Sequence, residues 1–178
     1  MHKLKLFISI VVCTIAAAVC FGILHDQVTY SISPEYYTKF KFIQFGLADD
    51  NMKIQMSERA AALIVGIMAT WWMGLLIGLF YAGILLFFKI KHGIWKIYFR
   101  TIALTFGIAI LSGVTGYLYG KYHLLETEVD WYLPESLADR NSFICVGSIH
   151  NFSYIGGVIG CMAGIFYLLI QKSRISKQ

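Results

Sequence analysis

The chain has 178 residues, of which 58% are apolar and only 14% are charged, and its mean hydropathy of +0.66 is too high for a soluble domain. The net charge of +5 does not indicate a nucleic-acid-binding protein, because the basic residues form no groove-sized cluster and instead flank apolar segments. The composition predicts a single integral membrane domain with the lipid bilayer as its main solvent and no nucleic-acid partner.

Four apolar segments are long enough to cross a hydrocarbon core of about 30 Å, and none of them contains Asp, Glu, Lys or Arg. The first runs for 19 residues, longer than the roughly 7 to 15 residues of a signal-peptide core, and is therefore interpreted as a retained anchor. The sequence predicts an all-α, four-helix transmembrane bundle. The four predicted spans are 6–24, 60–88, 101–120 and 143–170.

The first long connection, 25–59, contains three different local patterns. Apolar and polar residues alternate over 28–33, which predicts a short strand. Ser33 followed by Pro34 is typical of a helix start. The aromatic segment 36–45 either lies in the headgroup region or packs as a lid on the helix ends, and both interpretations stay open.

The second long connection, 121–142, places three acidic residues before an aromatic pair and then repeats the proline-glutamate helix start at Pro134 and Glu135. The two long connections together predict a small exoplasmic cap made of short helices and one strand. The remaining connection, 89–100, is short and basic.

The charges are sorted between the two sides of the predicted bundle. Both termini and the connection 89–100 carry nine basic residues and no acidic residue, whereas the long connections carry all ten acidic residues. The positive-inside rule therefore predicts that both termini are cytoplasmic, in the cytoplasmic (inner) membrane if the protein is bacterial. The nine basic residues are Lys3, Lys5, Lys89, Lys91, Lys96, Arg100, Lys172, Arg174 and Lys177.

Small residues recur at steps of four along three of the spans, a pattern that permits close helix approach in membranes. The ladders serve packing within one chain, a homo-oligomer or a membrane protein partner, and the pattern does not separate these. The ladders are Gly66, Thr70, Gly74, Gly78 and Ala82; Ser112, Gly116 and Gly120; and Gly156, Gly160 and Gly164.

Three histidines fall at one depth, because about 20 residues of helix cross the core. His25, His123 and His150 each lie within about one helical turn of the exoplasmic boundary, with Asp26 and Glu126 near them in sequence. We predict these five residues as candidate metal ligands. Helical spacing adds four candidate pocket-lining residues: Asn151, Tyr154, Tyr119 and Ser112.

Imidazole and carboxylate together suit zinc, iron or copper, and two histidines suit a b-type haem. The spacing contains no H-E-x-x-H motif and no ligand pair at i and i+4, so the same residues also fit ordinary helix ends at a membrane boundary. The four cysteines form no C-x-x-C pair and indicate core positions. No residue is singled out as catalytic.

The sequence is most compatible with a non-enzymatic accessory, assembly or scaffold component whose exoplasmic cap contacts a partner. The alternative is a membrane-embedded metal- or haem-binding protein or enzyme that uses the histidine and carboxylate residues. A transporter or channel subunit ranks third, because ion-coupled carriers usually keep an ionisable residue inside the membrane and the four predicted spans contain no Asp, Glu, Lys or Arg.

Overall fold

Four long helices dominate the computed structural model, which describes residues 2–49, 53–88, 93–127 and 129–176. All four are long and apolar enough to cross a membrane, which confirms the prediction of an all-helical protein with four candidate spans. The helices are α1 (His2–Ile32), α2 (Pro34–Tyr36), α3 (Phe42–Gln44), α4 (Glu58–Leu85), α5 (Ile94–Tyr119) and α6 (Arg140–Ser176), with π-helical turns at Tyr37–Lys41 and Gly120–Leu124.

The predicted strand over 28–33 is wrong, because α1 continues through this segment to Ile32. The hydroxyl of Thr29 donates to the His25 carbonyl at 2.9 Å, one helical turn back along α1. The alternation of apolar and polar residues therefore reflects a helix with one buried face. Apart from an isolated bridge between Ala48 and Ile54, the described residues contain no β pairing.

Of the two predicted helix starts, one is confirmed and one is wrong. Ser33 caps α2, where its hydroxyl accepts a hydrogen bond from the Tyr36 amide, and Pro34 occupies the first turn. No helix starts at Pro134; the described part of this connection is irregular and Ser136 has a positive φ of 57°. The last helix begins at Arg140 instead.

On the side of the long connections the helical segments extend beyond the predicted spans, so these connections shorten to 33–57 and 125–139, whereas α4 ends at Leu85, before the predicted end at 88. Several charges used for the orientation prediction, Lys89, Lys91, Lys177, Asp50 and Glu128, lie outside the described residues. Most of the connection 89–100 belongs to α5, which begins at Ile94. The orientation of the termini stays a prediction.

The long helices pack as two antiparallel pairs, α1 with α4 and α5 with α6. A Cβ added to Gly66 would lie 2.6 Å from the Gly22 carbonyl oxygen of α1, and one added to Gly160 would lie 2.6 Å from the Thr105 carbonyl oxygen of α5. The glycine ladders therefore meet within this chain and permit backbone contact in both pairs. Tyr81 joins the two pairs by a 2.7 Å hydrogen bond to Thr105.

The aromatic segment 36–45 lies over the helix ends at the side of the long connections. Tyr36, Tyr37 and Phe42 are buried against residues of α4 and α6, including Phe143 and Val65. This is the arrangement of a lid packed on the bundle. It places the rings of Tyr36 and Tyr37 against His150 of α6.

Candidate functional site

His25, Asp26 and His150 converge at the long-connection end of the bundle. His25 and Asp26 are neighbours near the end of α1, and His150 lies in the first third of α6. One ligand atom from each of the three residues lies within 4.8 Å of the others, and the two imidazole ring centroids are 4.7 Å apart. These three residues are the metal-ligand candidates that the structure brings together.

The Asp26 carboxylate is buried, and its two oxygens have different surroundings. Oδ1 lies 3.0 Å from Nδ1 of His25. Oδ2 is also buried and has no hydrogen-bond partner among the described residues. A buried carboxylate oxygen without a hydrogen-bond partner is costly for the folded protein.

Hydroxyl groups surround both imidazoles. His25 Nε2 lies 3.2 Å from the Ser153 hydroxyl oxygen. His150 Nε2 lies 3.4 Å from the Tyr37 hydroxyl and 3.5 Å from that of Thr29. These contacts fix the orientation of the two rings, as outer hydrogen bonds do for histidines that bind metals.

Two tyrosines of the aromatic segment cover the cluster. The Tyr36 ring stacks on His150 with centroids 5.0 Å apart and planes at 17°, and the Tyr37 hydroxyl lies 2.6 Å from that of Thr29. Burial raises the pKa of both phenols well above the usual value. They therefore remain neutral hydroxyl groups that exclude water from the cluster.

His123 and Glu126 do not join this cluster. Both are exposed on the turns that follow α5, and the His123 ring contacts Tyr119, with centroids 4.8 Å apart. The face of α5 that approaches α6 carries Gly113 and Gly116 instead. The sequence predicts His123 and His150 at the same depth, but their side chains do not face the same place in the bundle.

The four predicted pocket-lining residues are divided between different places. Asn151 and Tyr154 line a pocket of about 200 Å³ below the aromatic segment. Ser112 packs against Gly156 in the contact between α5 and α6. Tyr119 is exposed and contacts the Phe152 ring.

Two cavities reach the cluster from between the helix pairs. The first has a volume of about 80 Å³ and contacts all three clustered residues as well as Ser153 and Tyr154. The second, of about 420 Å³, contacts His25 and Ser153. The walls of both are mainly apolar, so the polar cluster lies at the end of an otherwise apolar space.

Sequence reasoning missed five residues that surround the cluster. Thr29, Tyr36, Tyr37 and Ser153 contact the imidazoles, and Lys41 is buried beside Tyr154. The dense aromatic composition of 36–45 was the available signal for the tyrosines and the lysine. Ser153 gave no signal, because its contact with His25 joins residues 128 positions apart.

No protein-family model, curated protein or solved structure matches this chain. The geometry of the cluster is therefore the basis on which a function is proposed.

Proposed function

We propose that this membrane protein binds one divalent transition-metal ion through His25, Asp26 and His150. The observation that carries the proposal is the orphaned Oδ2 of Asp26, buried beside two imidazoles whose ligand atoms lie within 4.8 Å of the carboxylate. A divalent ion would compensate the buried negative charge, which no hydrogen bond does at this oxygen.

The donor set suits zinc or iron. Two histidines and one carboxylate form the ligand set of several zinc enzymes and of non-haem iron oxygenases, and both types keep coordination positions open for water or substrate. Tetrahedral ligands about 2.0–2.1 Å from zinc are themselves a little over 3 Å apart, so an ion would draw together ligand atoms that now lie within 4.8 Å of one another. The Nδ1 to Oδ1 distance of 3.0 Å already approaches that value.

A bare ion suits the space better than a haem. The cavity that touches all three residues measures about 80 Å³, far below the roughly 300–1,000 Å³ of ordinary ligand pockets. The Tyr36 ring also occupies one face of His150. With an ion bound, the protein would hold a Lewis acid at the end of an apolar cavity, screened from bulk water by the aromatic segment.

Metal analysis of the purified protein tests this proposal. We expect one zinc or iron ion per chain after loading and removal of free metal, and loss of that ion in His150→Gln. The matched control is His123→Gln, which alters an exposed histidine outside the cluster and should retain the ion. Absence of stoichiometric metal in the wild type, or equal retention by both variants, would contradict the proposal.

A second candidate function uses the same hydrogen-bond chain differently. Asp26, His25 and Ser153 are linked in the order carboxylate, imidazole and hydroxyl, with distances of 3.0 and 3.2 Å. This order is the one that activates serine nucleophiles for acyl transfer. Covalent labelling of Ser153 by a fluorophosphonate in metal-free protein would favour this function, and no labelling would oppose it.

We also propose that both termini are cytoplasmic and that the aromatic segment and the connection 125–139 form an exoplasmic cap, on the basis of the charge sorting. An accessory, assembly or scaffold role is compatible with a bound ion that stabilises this cap for a partner or a second copy. Native gel analysis in mild detergent tests that role, which predicts a species larger than the monomer.

A further inference from the structure

A further pocket at the long-connection end shares Tyr154 with the cavity that contacts the histidines. It has a volume of about 200 Å³ and lies between the aromatic segment, α6 and the connection 125–139. Single water molecules need only about 10–15 Å³, so this space admits a larger chemical group. We call it the Lys41 pocket, after the one cation among the described residues that line it.

Lys41 is buried, with only 5% of its surface exposed. Its ammonium group has three N–H donors, and one of them donates to the Tyr154 hydroxyl at 3.3 Å. No carboxylate of the described residues lies within ion-pair distance of it. Two donors of a buried cation are therefore left for a further partner.

The aromatic rings around Lys41 do not supply that partner. The ammonium nitrogen lies 5.6 to 5.9 Å from the ring centroids of Tyr36, Phe40, Phe45 and Tyr154, which is near the outer limit of about 6 Å for cation–π attraction. Burial lowers the pKa of the Lys41 ammonium, and the negative charge of Asp26 opposes part of this shift. The rings thus offset only part of the cost of burying this charge, and an anion would offset more of it.

The remaining polar groups of the Lys41 pocket are neutral. The side chains of Gln44, Asn151 and Trp131 line it, and no Asp or Glu of the described residues does. All three carry N–H donors, and two of them come from elements other than the aromatic segment. A lysine with several neutral donors and no acid is the composition expected for an oxyanion site.

Trp131 of the connection 125–139 packs against α6 beside the aromatic segment. Its ring and that of Tyr36 both pack on α6 at Gly147, where an added Cβ would lie at ordinary contact distances of 3.4 Å from the Trp131 ring and 3.5 Å from the Tyr36 ring. Glu35 accepts hydrogen bonds from the backbone amides of Ala138 and Asp139. These bonds fasten the connection 125–139 to the aromatic segment and so define one wall of the pocket.

We propose that the Lys41 pocket binds the phosphate group of a phosphate ester, with Lys41 as the cation and Gln44, Asn151 and Trp131 as neutral donors. Phosphate offers several strong acceptor oxygens, which matches a set of donors arriving from three elements. The ester is either a membrane phospholipid or a water-soluble molecule, since both present the same group. The inference does not depend on the metal site, because none of its donors belongs to His25, Asp26 or His150.

Fluorescence of Trp131 tests the proposal in full-length protein. A single-tryptophan protein is made with Trp71→Phe, Trp72→Phe and Trp95→Phe, three substitutions of side chains that lie outside the pocket. It is titrated in mild detergent with dihexanoyl phosphatidylglycerol, with glycerol 3-phosphate, and with dihexanoylglycerol as the probe that lacks phosphate. We expect a saturable change with a phosphate-bearing probe and none with dihexanoylglycerol.

Lys41→Gln should weaken that binding at least about tenfold, because a charge-assisted hydrogen bond is lost. Lys53→Gln, which changes an exposed lysine of the same connection, should bind as the parent does. If circular dichroism shows that Lys41→Gln does not fold, Asn151→Leu replaces it, since Asn151 is exposed and lines the same pocket, and the same weakening is expected.

The two probes distinguish the sources of the phosphate. Saturation by the phospholipid alone assigns the pocket to a headgroup, and saturation by glycerol 3-phosphate as well assigns it to soluble esters. Failure of both probes to saturate, or equal binding by the parent and the pocket variant, would overturn the proposal. The metal content of these proteins is measured separately, so failure here leaves the metal-site result unaffected.

Discussion

Replacing Asp26 by asparagine tests whether its carboxylate binds a metal ion or only stabilises the fold. The amide keeps an oxygen that accepts the hydrogen bond from His25 Nδ1, observed at 3.0 Å, and it removes the charge at the buried, unpartnered Oδ2. Without metal, the substitution removes the cost of burying a negative charge, although the amide N–H groups that replace Oδ2 are donors that also need partners. Asp26→Asn should therefore unfold with an unchanged or higher free energy when no ion is present.

The same substitution should abolish stabilisation by metal. A ligand at 100 times its Kd stabilises the folded state by about 2.7 kcal/mol, so the wild type gains this amount from zinc or iron and Asp26→Asn gains none. A binding site is indicated when the substitution does not lower the stability of the metal-free protein but removes the stabilisation by metal. A residue that merely holds the fold together would lose stability under both conditions.

Thermal unfolding in mild detergent, followed by far-ultraviolet circular dichroism with and without metal, measures both effects. The control is Asp130→Asn, which changes an exposed aspartate and should behave as the wild type does. A fall of about 3–5 kcal/mol in metal-free Asp26→Asn, as expected for breaking a buried ion pair, together with no metal stabilisation of the wild type, would refute the reasoning.

The remaining predictions concern the surroundings of the site. Ser153→Ala removes the hydrogen bond to His25 Nε2 and should weaken metal affinity about 10- to 100-fold in a competition titration, with native circular dichroism. Gly66→Ala places a Cβ 2.6 Å from the Gly22 carbonyl and should lower the unfolding free energy by about 1–3 kcal/mol. In the control Gly83→Ala the added Cβ meets nothing within 4 Å, and the unfolding free energy should rise by up to about 1 kcal/mol. Hydrogen bonds from Lys39 and from two backbone amides lower the pKa of Glu35 from 4.5 to about 2. The stability that Glu35 contributes is therefore complete above pH 4.5 and is lost as the pH falls through about 2. Trp131 emission should report the release of the connection 125–139 at low pH, and Glu35→Gln should show the same change in emission already at neutral pH. A cysteine at position 53 in a protein without its native thiols should react with an impermeant reagent from outside intact cells, and reaction only after permeabilisation would contradict the orientation.

The long helices could be predicted because membrane solvent imposes a simple requirement on composition. About 20 apolar residues without charge are enough to identify each span, and the step-of-four glycines correctly marked the faces of close approach. The ends of α1 were harder, because the segment 28–33 combines a period of two with one buried helical face. Only the hydrogen bond from Thr29 to His25 and the position of Pro34 decide in favour of the helix.

The site was predictable only in part, for a geometric reason. Depth follows from counting residues, so His25, His123 and His150 could all be placed near one boundary. The direction in which a side chain points within the bundle depends on how the helices pair. The pairing of α5 with α6 leaves His123 outside the cluster. Contacts such as those of Ser153 with His25 and of Lys41 with Tyr154 span more than 110 residues, and no local pattern encodes them.

X-ray absorption spectroscopy at the zinc edge of the loaded protein tests the metal site most directly. We expect a first shell of nitrogen and oxygen at about 2.0–2.1 Å with the outer-shell scattering of two imidazoles, and no bound zinc in His150→Gln. A shell containing sulfur at about 2.3 Å, or a spectrum that His150→Gln leaves unchanged, would contradict it.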